Sequence, residues 1–495
     1  MKNLDQNFFR AVSEPERINR IASRLSDPCA FYLCLAGTEV SDIEGISAAG
    51  LTPELRRLTP SVDAEALVLG HPVSSGKLPV SPIGVVSPVV ITRACLRLAG
   101  ITPQIVDCGS FVSPSVDAIN FGMRPARSIS TGSAMPLNAV IELFTKGFDY
   151  GIKESAKQKT FVISECVPGG TTTALAVLTA LGYDARFSLS SSIPTCDHDS
   201  RWREVVAGQH AANLDMSQVN PFEILAAFGD PMQPFVTGMT LALSQRHPVI
   251  LAGGSQMLAV YALCAALAEE YGVDMHSAEV GVVTTKWVAF DASASISSLA
   301  SQLKAPLAAS CPDFLESRHE GLRAYEDGNV KEGVGAGAAL ALGFIATRQD
   351  SRELMSEIDK CYTELVGTSR EVSSATSGKS DAISGESDSI SGESDSISGE
   401  SDSISGESDS ISGESDSISG ESDAISGESD SISRESDAIS GEFNSISRES
   451  DAISRESGAI GGESDADSHE SNTISRESVA VHLELNASCS RADKS

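Results

Sequence analysis

Paired cysteines are missing from this chain. Its ten, at positions 29, 34, 95, 108, 166, 196, 264, 311, 361 and 489, form no Cys-x-x-Cys pair and keep no regular spacing. That leaves no disulfide framework to read. Most sit in apolar surroundings, as reduced, buried thiols do, and a cytoplasmic location is expected. The eight histidines are scattered too. Asp197-His198-Asp199 is the one cluster resembling metal ligands, and a solvated loop explains it at least as well. A signal peptide's continuous apolar run is also lacking. Met1–Asp27 instead alternates charged and apolar residues in helical fashion, with Phe8, Phe9, Val12, Ile18, Ile21 and Leu25. Only Pro248–Ala268, which holds no charged residue, has the length of a membrane span. Gly253-Gly254-Ser255-Gln256 interrupts it, so a buried strand turning into a buried helix is expected, and no membrane partner.

Basic charge is scarce, and unevenly so. Residues 371–495 hold 29 acidic against 7 basic side chains, whereas residues 1–370 hold 39 against 29. The chain's net charge of −32 therefore belongs mostly to its C-terminal part. There a seven-residue unit, Ser-Gly-Glu-Ser-Asp-Ser-Ile, places isoleucine at every seventh position from Ile383 to Ile460. A coiled coil needs two apolar positions per heptad and good helix formers between them. This unit offers one isoleucine among serine and glycine. Low hydrophobicity with high negative charge does not offset the entropy of ordering, so disorder is expected rather than an ordered β-solenoid. The division is thus an α/β domain over 1–370 and an acidic, low-complexity tail over 371–495. Such a tail repels nucleic acid.

Along 1–370, short β-rich runs alternate with longer helical patterns. The runs are Ala66–Leu69, Gln104–Asp107, Thr160–Ser164, Val249–Ala252 and Val280–Thr284; the helical patterns include Val89–Leu98, Leu137–Phe144, Thr172–Leu181, Pro234–Leu243 and Leu258–Glu270. This alternation predicts an α/β fold, a doubly wound and mostly parallel sheet with flanking helices and a small helical subdomain. Ligand groups are then expected on loops after the strand ends.

Three loops carry chemistry. Lys331-Glu332-Gly333-Val334-Gly335-Ala336-Gly337 runs into an apolar helix, placing one carboxylate, Glu332, on a glycine-cushioned turn where a substrate can approach the backbone. A glycine-rich packing turn is the plain alternative. After Phe161–Ser164 comes Glu165-Cys166-Val167-Pro168-Gly169-Gly170-Thr171-Thr172-Thr173, whose glycine pair and three threonines open a helix. Free amides and hydroxyls there suit a phosphate, although threonine N-capping explains them as well. No lysine follows these glycines and no Gly-x-Gly-x-x-Gly is present, which excludes a Walker loop and disfavours an NAD-dependent oxidoreductase. The third loop, Ala252-Gly253-Gly254-Ser255-Gln256, repeats the same architecture.

In their order these pieces resemble the nicotinate-nucleotide:dimethylbenzimidazole phosphoribosyltransferase family of cobalamin biosynthesis. Gly170-Thr171-Thr172-Thr173-Ala174 is similar to that family's Gly-Asn-Thr-Thr-Ala, and Asn220-Pro221-Phe222-Glu223-Ile224-Leu225 with Gly229-Asp230-Pro231 to its Asp-Pro-Leu-Glu-Val-Leu and Gly-Gly-Pro. Pro248-Val249-Ile250-Leu251-Ala252-Gly253 matches Pro-Val-Val-Leu-Asp-Gly, and Lys331–Ala336 matches Gly-Glu-Gly-Thr-Gly-Ala, where the family's catalytic glutamate sits. The family's Ser-Ala-Glu-Pro-Gly-His has only a loose counterpart in Asp291–Ser295, without the histidine. Its base-binding N-terminal region has no clear match.

The resemblance implies transfer of a 5-phosphoribosyl group from nicotinate mononucleotide to an aromatic nitrogen base, with Glu332 as catalytic base. Substrate contacts are expected from Gly169, Gly170, Thr171, Thr172, Thr173, Asp230, Gly253, Gly254, Ser255, Gly333 and Gly335. Neither metal nor organic cofactor is needed, because the leaving nicotinate departs from a pyridinium that is already cationic. The expected partners are small molecules and a second copy in a homodimer. A nucleotide-binding or regulatory protein that keeps the phosphate loop without turnover is the alternative.

Overall fold

The computed structural model describes residues 4–366, apart from 82, 158, 215–218 and 272–274. The 371–495 tail and Cys489 lie outside the described residues. Eight strands form one sheet: β1 Phe9–Ser13, β2 Cys29–Leu35, β3 Gln104–Asp107, β4 Ala118–Asn120, β5 Thr160–Cys166, β6 Val249–Ala252, β7 Val280–Thr285 and β8 Leu307–Ser310. Their order is β1-β8-β7-β6-β5-β2-β3-β4. Every neighbouring pair is parallel except β1 with β8.

Alternation along the strands divides the core in two. In β2, Ala30, Tyr32 and Cys34 point into one apolar layer and Phe31, Leu33 and Leu35 into the other. Phe161 and Ile163 of β5 oppose Val162 in the same way, as do Val249 and Leu251 of β6 against Ile250 and Ala252. Both faces are covered by helices, which is why these strands read as continuous apolar runs. One layer is built from helices Leu137–Glu154, Gly170–Ala180, Met232–Ser244 and Ser255–Tyr271, the other chiefly from Pro53–Leu69, Val89–Ala99 and Ala336–Ala346. A last helix runs over 351–366. The α/β, doubly wound reading therefore holds. Helices His198–Ala212 and Pro221–Phe228 share the first layer through Val205, Phe222 and Leu225.

Two expectations change. Ala66–Leu69 is the last turn of helix Pro53–Leu69 and not a strand. Thr52 accepts from the Leu55 amide at the start, a proline occupies the first turn, and Gly70, at φ 85°, ends the helix. The helical reading of Met1–Asp27 fails at Phe9–Ser13, which pairs antiparallel with β8; the helix begins only at Pro15 and ends at Ser23. Pro248–Ala268 divides into β6 and helix Ser255–Tyr271, as expected. No helix among the described residues is long and apolar enough to cross a membrane. The nine described cysteines are free thiols, seven of them buried.

Candidate active site

The strand order reverses between β2 and β5. Chain progress runs outward through β3 and β4 on one side and through β6, β7 and β8 on the other. In open α/β sheets such a switch point leaves a crevice at the carboxyl ends of the strands. A cleft of about 900 Å³, including its open mouth, lies there. Its walls come from 46–49 after β2, 165–169 and Thr171 after β5, 254–256 after β6 and 330–334, with 79–81, Val85, Ser87 and Pro88 alongside.

Glu332 stands on an unusual turn. Val330, Lys331 and Val334 adopt φ of 64°, 63° and 54°, and Gly333 and Gly335 are also positive, at 151° and 69°. A left-handed non-glycine residue costs about 1–2 kcal/mol, more where the side chain is β-branched, so the surroundings must hold the turn. They do so from four elements. Val330 N–H donates to Ser192 O (2.9 Å), Thr285 Oγ1 to Lys331 O (2.7 Å), Val334 N–H to Glu165 O (3.0 Å) and Thr92 Oγ1 to Val334 O (3.0 Å). At Gly335 a Cβ would stand 2.5 Å from that of Ser164, so only glycine fits.

The Glu332 carboxylate accepts four hydrogen bonds: Oε2 from Thr284 Oγ1 (3.0 Å) and the Thr285 amide (2.8 Å), Oε1 from the Gly333 and Gly337 amides (both 3.2 Å). Burial pushes its pKa up to about 7 against the pull of those donors. Glu165, at the end of β5, lines the same cleft and is 4% exposed. Burial, then repulsion from Glu332, pushes it up to about 8, although the Val167 amide (3.1 Å) and Gln256 Nε2 (3.0 Å) donate to it. Gly170 makes that amide contact possible, because a Cβ there would fall 2.0 Å from Gln256 Oε1. Two carboxyls titrating near neutrality thus share one cleft, as proton-transfer sites require. Among the described residues Lys331 is the only cationic one in the cleft wall, and it is spent on a buried ion pair with Asp291 (2.5 Å).

The residues expected to touch substrate divide into two sets. Glu332, Gly169, Thr171, Gly254, Ser255 and Gly333 line the cleft. Gly170, Thr172, Thr173, Asp230, Gly253 and Gly335 are not in its wall. Thr173 Oγ1 donates to Asp230 Oδ2 (2.5 Å), and both side chains are fully buried, tying the glycine loop to the start of helix Met232–Ser244. Helical geometry explains the division: only the first of the three threonines faces the cleft, and the next two turn into the core. Asn220 and Glu223 form a capping box, so that stretch of the likeness starts a helix. Asp197 caps helix His198–Ala212, His198 Nε2 meets Ser293 O (2.7 Å) and Asp199 pairs with Arg186. Among the described residues no group of three acids, histidines or cysteines is placed to hold a metal ion. Arg124 and Arg127 are exposed and away from the cleft, and Lys286 pairs with Glu326 (2.8 Å). Gln256 and Asp63, both in the cleft wall, carried no sequence signal as site residues.

Comparison with known proteins now bears on this geometry. A UPF0284 protein of Gloeobacter violaceus is 44% identical over 348 residues, covering 70% of this chain and 91% of the relative. One from Nostoc sp. is 39% identical over 383 residues, covering 72% and 100%. This chain belongs to the UPF0284 family. Residues 91–281 match the family model described as Phosphoribosyltransferase, which agrees with the resemblance drawn from the loops. Neither the UPF0284 relatives nor that match names a substrate. The structures of CobT and of nicotinate-nucleotide-dimethylbenzimidazole phosphoribosyltransferase, both from Thermus thermophilus, are similar at TM-scores of 0.46 and 0.44 and identities of 15% and 14%. They cover 70% and 72% of this chain and 89% and 98% of their own. Residues 365–481 are similar to the model described as Grass antifreeze beta roll, a match lying outside the described residues except at its first two.

The raised acids have a consequence for stability. Glu165 and Glu332, with Asp63 (pushed by burial to about 7) and Asp230 (to about 6), hold protons in the folded chain that the unfolded chain releases at lower pH. Stability is then lost as pH rises through the ordinary carboxyl range toward these folded values. Each unit is worth about 1.4 kcal/mol, so with four such groups a loss of several kcal/mol, on the order of 10 at most, is expected between about pH 4 and 8. Calorimetric melting across that window should show Tm falling, with a shallower fall in Glu165→Gln. A rising Tm would contradict the assignment.

Proposed function

We propose that this protein transfers a 5-phosphoribosyl group from nicotinate mononucleotide to an aromatic nitrogen base, the step that makes a cobalamin lower ligand. One observation supports the reading above others: Glu332 and Thr171 line a single cleft at the switch point, the acid on a strained turn and the threonine at a helix start. The sugar passes through an oxocarbenium-like state as the bond to nicotinate breaks and the incoming ring nitrogen forms its own. Once that bond forms, the ring carries a surplus N–H proton, and Glu332 takes it. Gly169 and Thr171 offer backbone and hydroxyl contacts for the phosphate. Glu165 and Glu332 are both raised by burial, and a proton kept within this pair spares the phosphate a second negative neighbour.

Incubating the full chain with nicotinate mononucleotide and a panel of benzimidazoles and purines should release nicotinate with at least one base. Failure across the panel removes the proposal. A nucleotide-binding protein without turnover is the second reading, favoured by the pairing of the cleft-wall lysine with Asp291. Tight nucleotide binding with no product would select it.

A further inference from the structure

Asp63 is an acid that the proposed reaction leaves unused. It lies within helix Pro53–Leu69, is 2% exposed, and reaches the cleft wall between apolar residues Ile46, Val80, Val85, Pro88 and Val334. Its two oxygens differ sharply. Oδ2 accepts from Ser87 Oγ (2.8 Å) and from Cys166 Sγ (3.5 Å). Oδ1 has no partner among the described residues. Folding has therefore buried an acceptor without a donor, beside a cleft. Buried polar groups are satisfied nearly always, and an exception calls for an explanation. Among the described residues no cation offsets the carboxyl: burial raises it, and the Ser87 and Cys166 donors pull it back.

We propose that Asp63 determines which base is accepted: Oδ1 receives a hydrogen bond from an amino or hydroxyl group on the ring edge, while the apolar wall takes the ring faces. This rests on reading the cleft as a phosphoribosyltransferase site. The selection follows from the asymmetry of hydrogen-bond costs. A ring with a polar hydrogen satisfies Oδ1; a ring with a methyl group in its place leaves the acceptor unpaired and is rejected. Glu332 deals with the reacting edge of the ring, and Asp63 reads a second edge.

The test compares two matched pairs, 5-hydroxybenzimidazole with 5-methylbenzimidazole and adenine with 6-methylpurine. Affinities are measured calorimetrically at about pH 8, where Oδ1 is an acceptor, on the full chain alone and on Glu332→Gln saturated with nicotinate mononucleotide, so that turnover does not intervene. The hydroxyl or amino member of at least one pair should bind about 10-fold or more tightly. In Asp63→Asn the Ser87 and Cys166 donors hold the amide oxygen on their side, turning the NH₂ toward the cleft. That preference should shrink to within about 2-fold or reverse, with Tm maintained because the side chain is isosteric. Equal affinities in both pairs, an unchanged preference in Asp63→Asn, or no binding of any base would overturn the assignment. Nicotinate release by the unmutated chain is measured separately. No release together with an Asp63-dependent preference removes the transferase reading alone; release with indifferent binding removes the Asp63 assignment alone.

Discussion

Replacing Glu332 with glutamine is expected to slow nicotinate release by about 10²–10⁴-fold, the usual contribution of a positioned general base. Nicotinate mononucleotide should bind with little change, because the side chain acts on the incoming ring. Amide chemistry adds a structural effect that must be separated from the catalytic one. The carboxylate faces four donors, three of them backbone N–H groups. A glutamine oxygen turned toward Gly333 and Gly337 keeps two of these bonds, and the Thr284 hydroxyl can rotate to accept from the new NH₂. Only the Thr285 amide is then left facing a donor, at a cost of about 1–3 kcal/mol. Rates are accordingly compared well below the variant's Tm. With its carboxyl raised to about 7, the parent should gain activity between about pH 6 and 8 as a proton leaves the Glu165–Glu332 pair. In Glu332→Gln that limb should vanish. A variant within a few-fold of the parent rate, or one keeping the limb, would end the general-base role.

What could be read from sequence was whatever lies close together along the chain. Glu332 is flanked by glycines, and β5, β6 and β7 are apolar runs that end in glycine-bearing or threonine-bearing turns, so both site and strands are punctuated locally. β2 is the central strand on the other side of the switch point, yet Cys29–Leu35 is an unbroken apolar segment with no such signal. Ala66–Leu69 looks like a strand when cut from its helix, since only Thr52, over a dozen residues earlier, marks the start. The side chains behind the cleft are joined across long separations: Asp63 meets Ser87 from 24 residues away and Cys166 from 103, and Lys331 meets Asp291 from 40. None of these pairings leaves a trace in local spacing. The threonine run shows the same limit at short range, because a run of hydroxyls does not reveal which of them faces the cleft and which the core.

Removing Asp291 should destabilise the fold by about 3–5 kcal/mol, the cost of stranding one member of a buried ion pair. Removing Lys331 should cost distinctly less, and the difference follows from what each partner has left. The Lys331 and Asp291 side chains are 2% and 5% exposed. Without Asp291, the ammonium keeps, among the described residues, only a long contact to Pro194 O (3.5 Å). Without Lys331, the carboxylate still accepts from Ser190 Oγ (2.5 Å) and from the Ser293 amide (2.9 Å) and hydroxyl (2.7 Å). Burial raises Asp291, but Lys331 and these serines together hold it below the ordinary range; losing the lysine forfeits only part of that support. Denaturant unfolding of Asp291→Ala and Lys331→Met should therefore rank the first well below the second. Activity is expected to fall in both, because Lys331 is adjacent to Glu332 and sits at φ 63° in the turn that aims it. In Asp291→Ala the freed ammonium is expected to turn into the cleft that Lys331 lines, where it would meet the two glutamates and lower both their pKa values. The acid limb of the rate profile should then move to lower pH in Asp291→Ala and stay in place in Lys331→Met. Equal destabilisation in the two variants would refute this asymmetry, and an unmoved limb in Asp291→Ala would refute the release of Lys331 into the cleft.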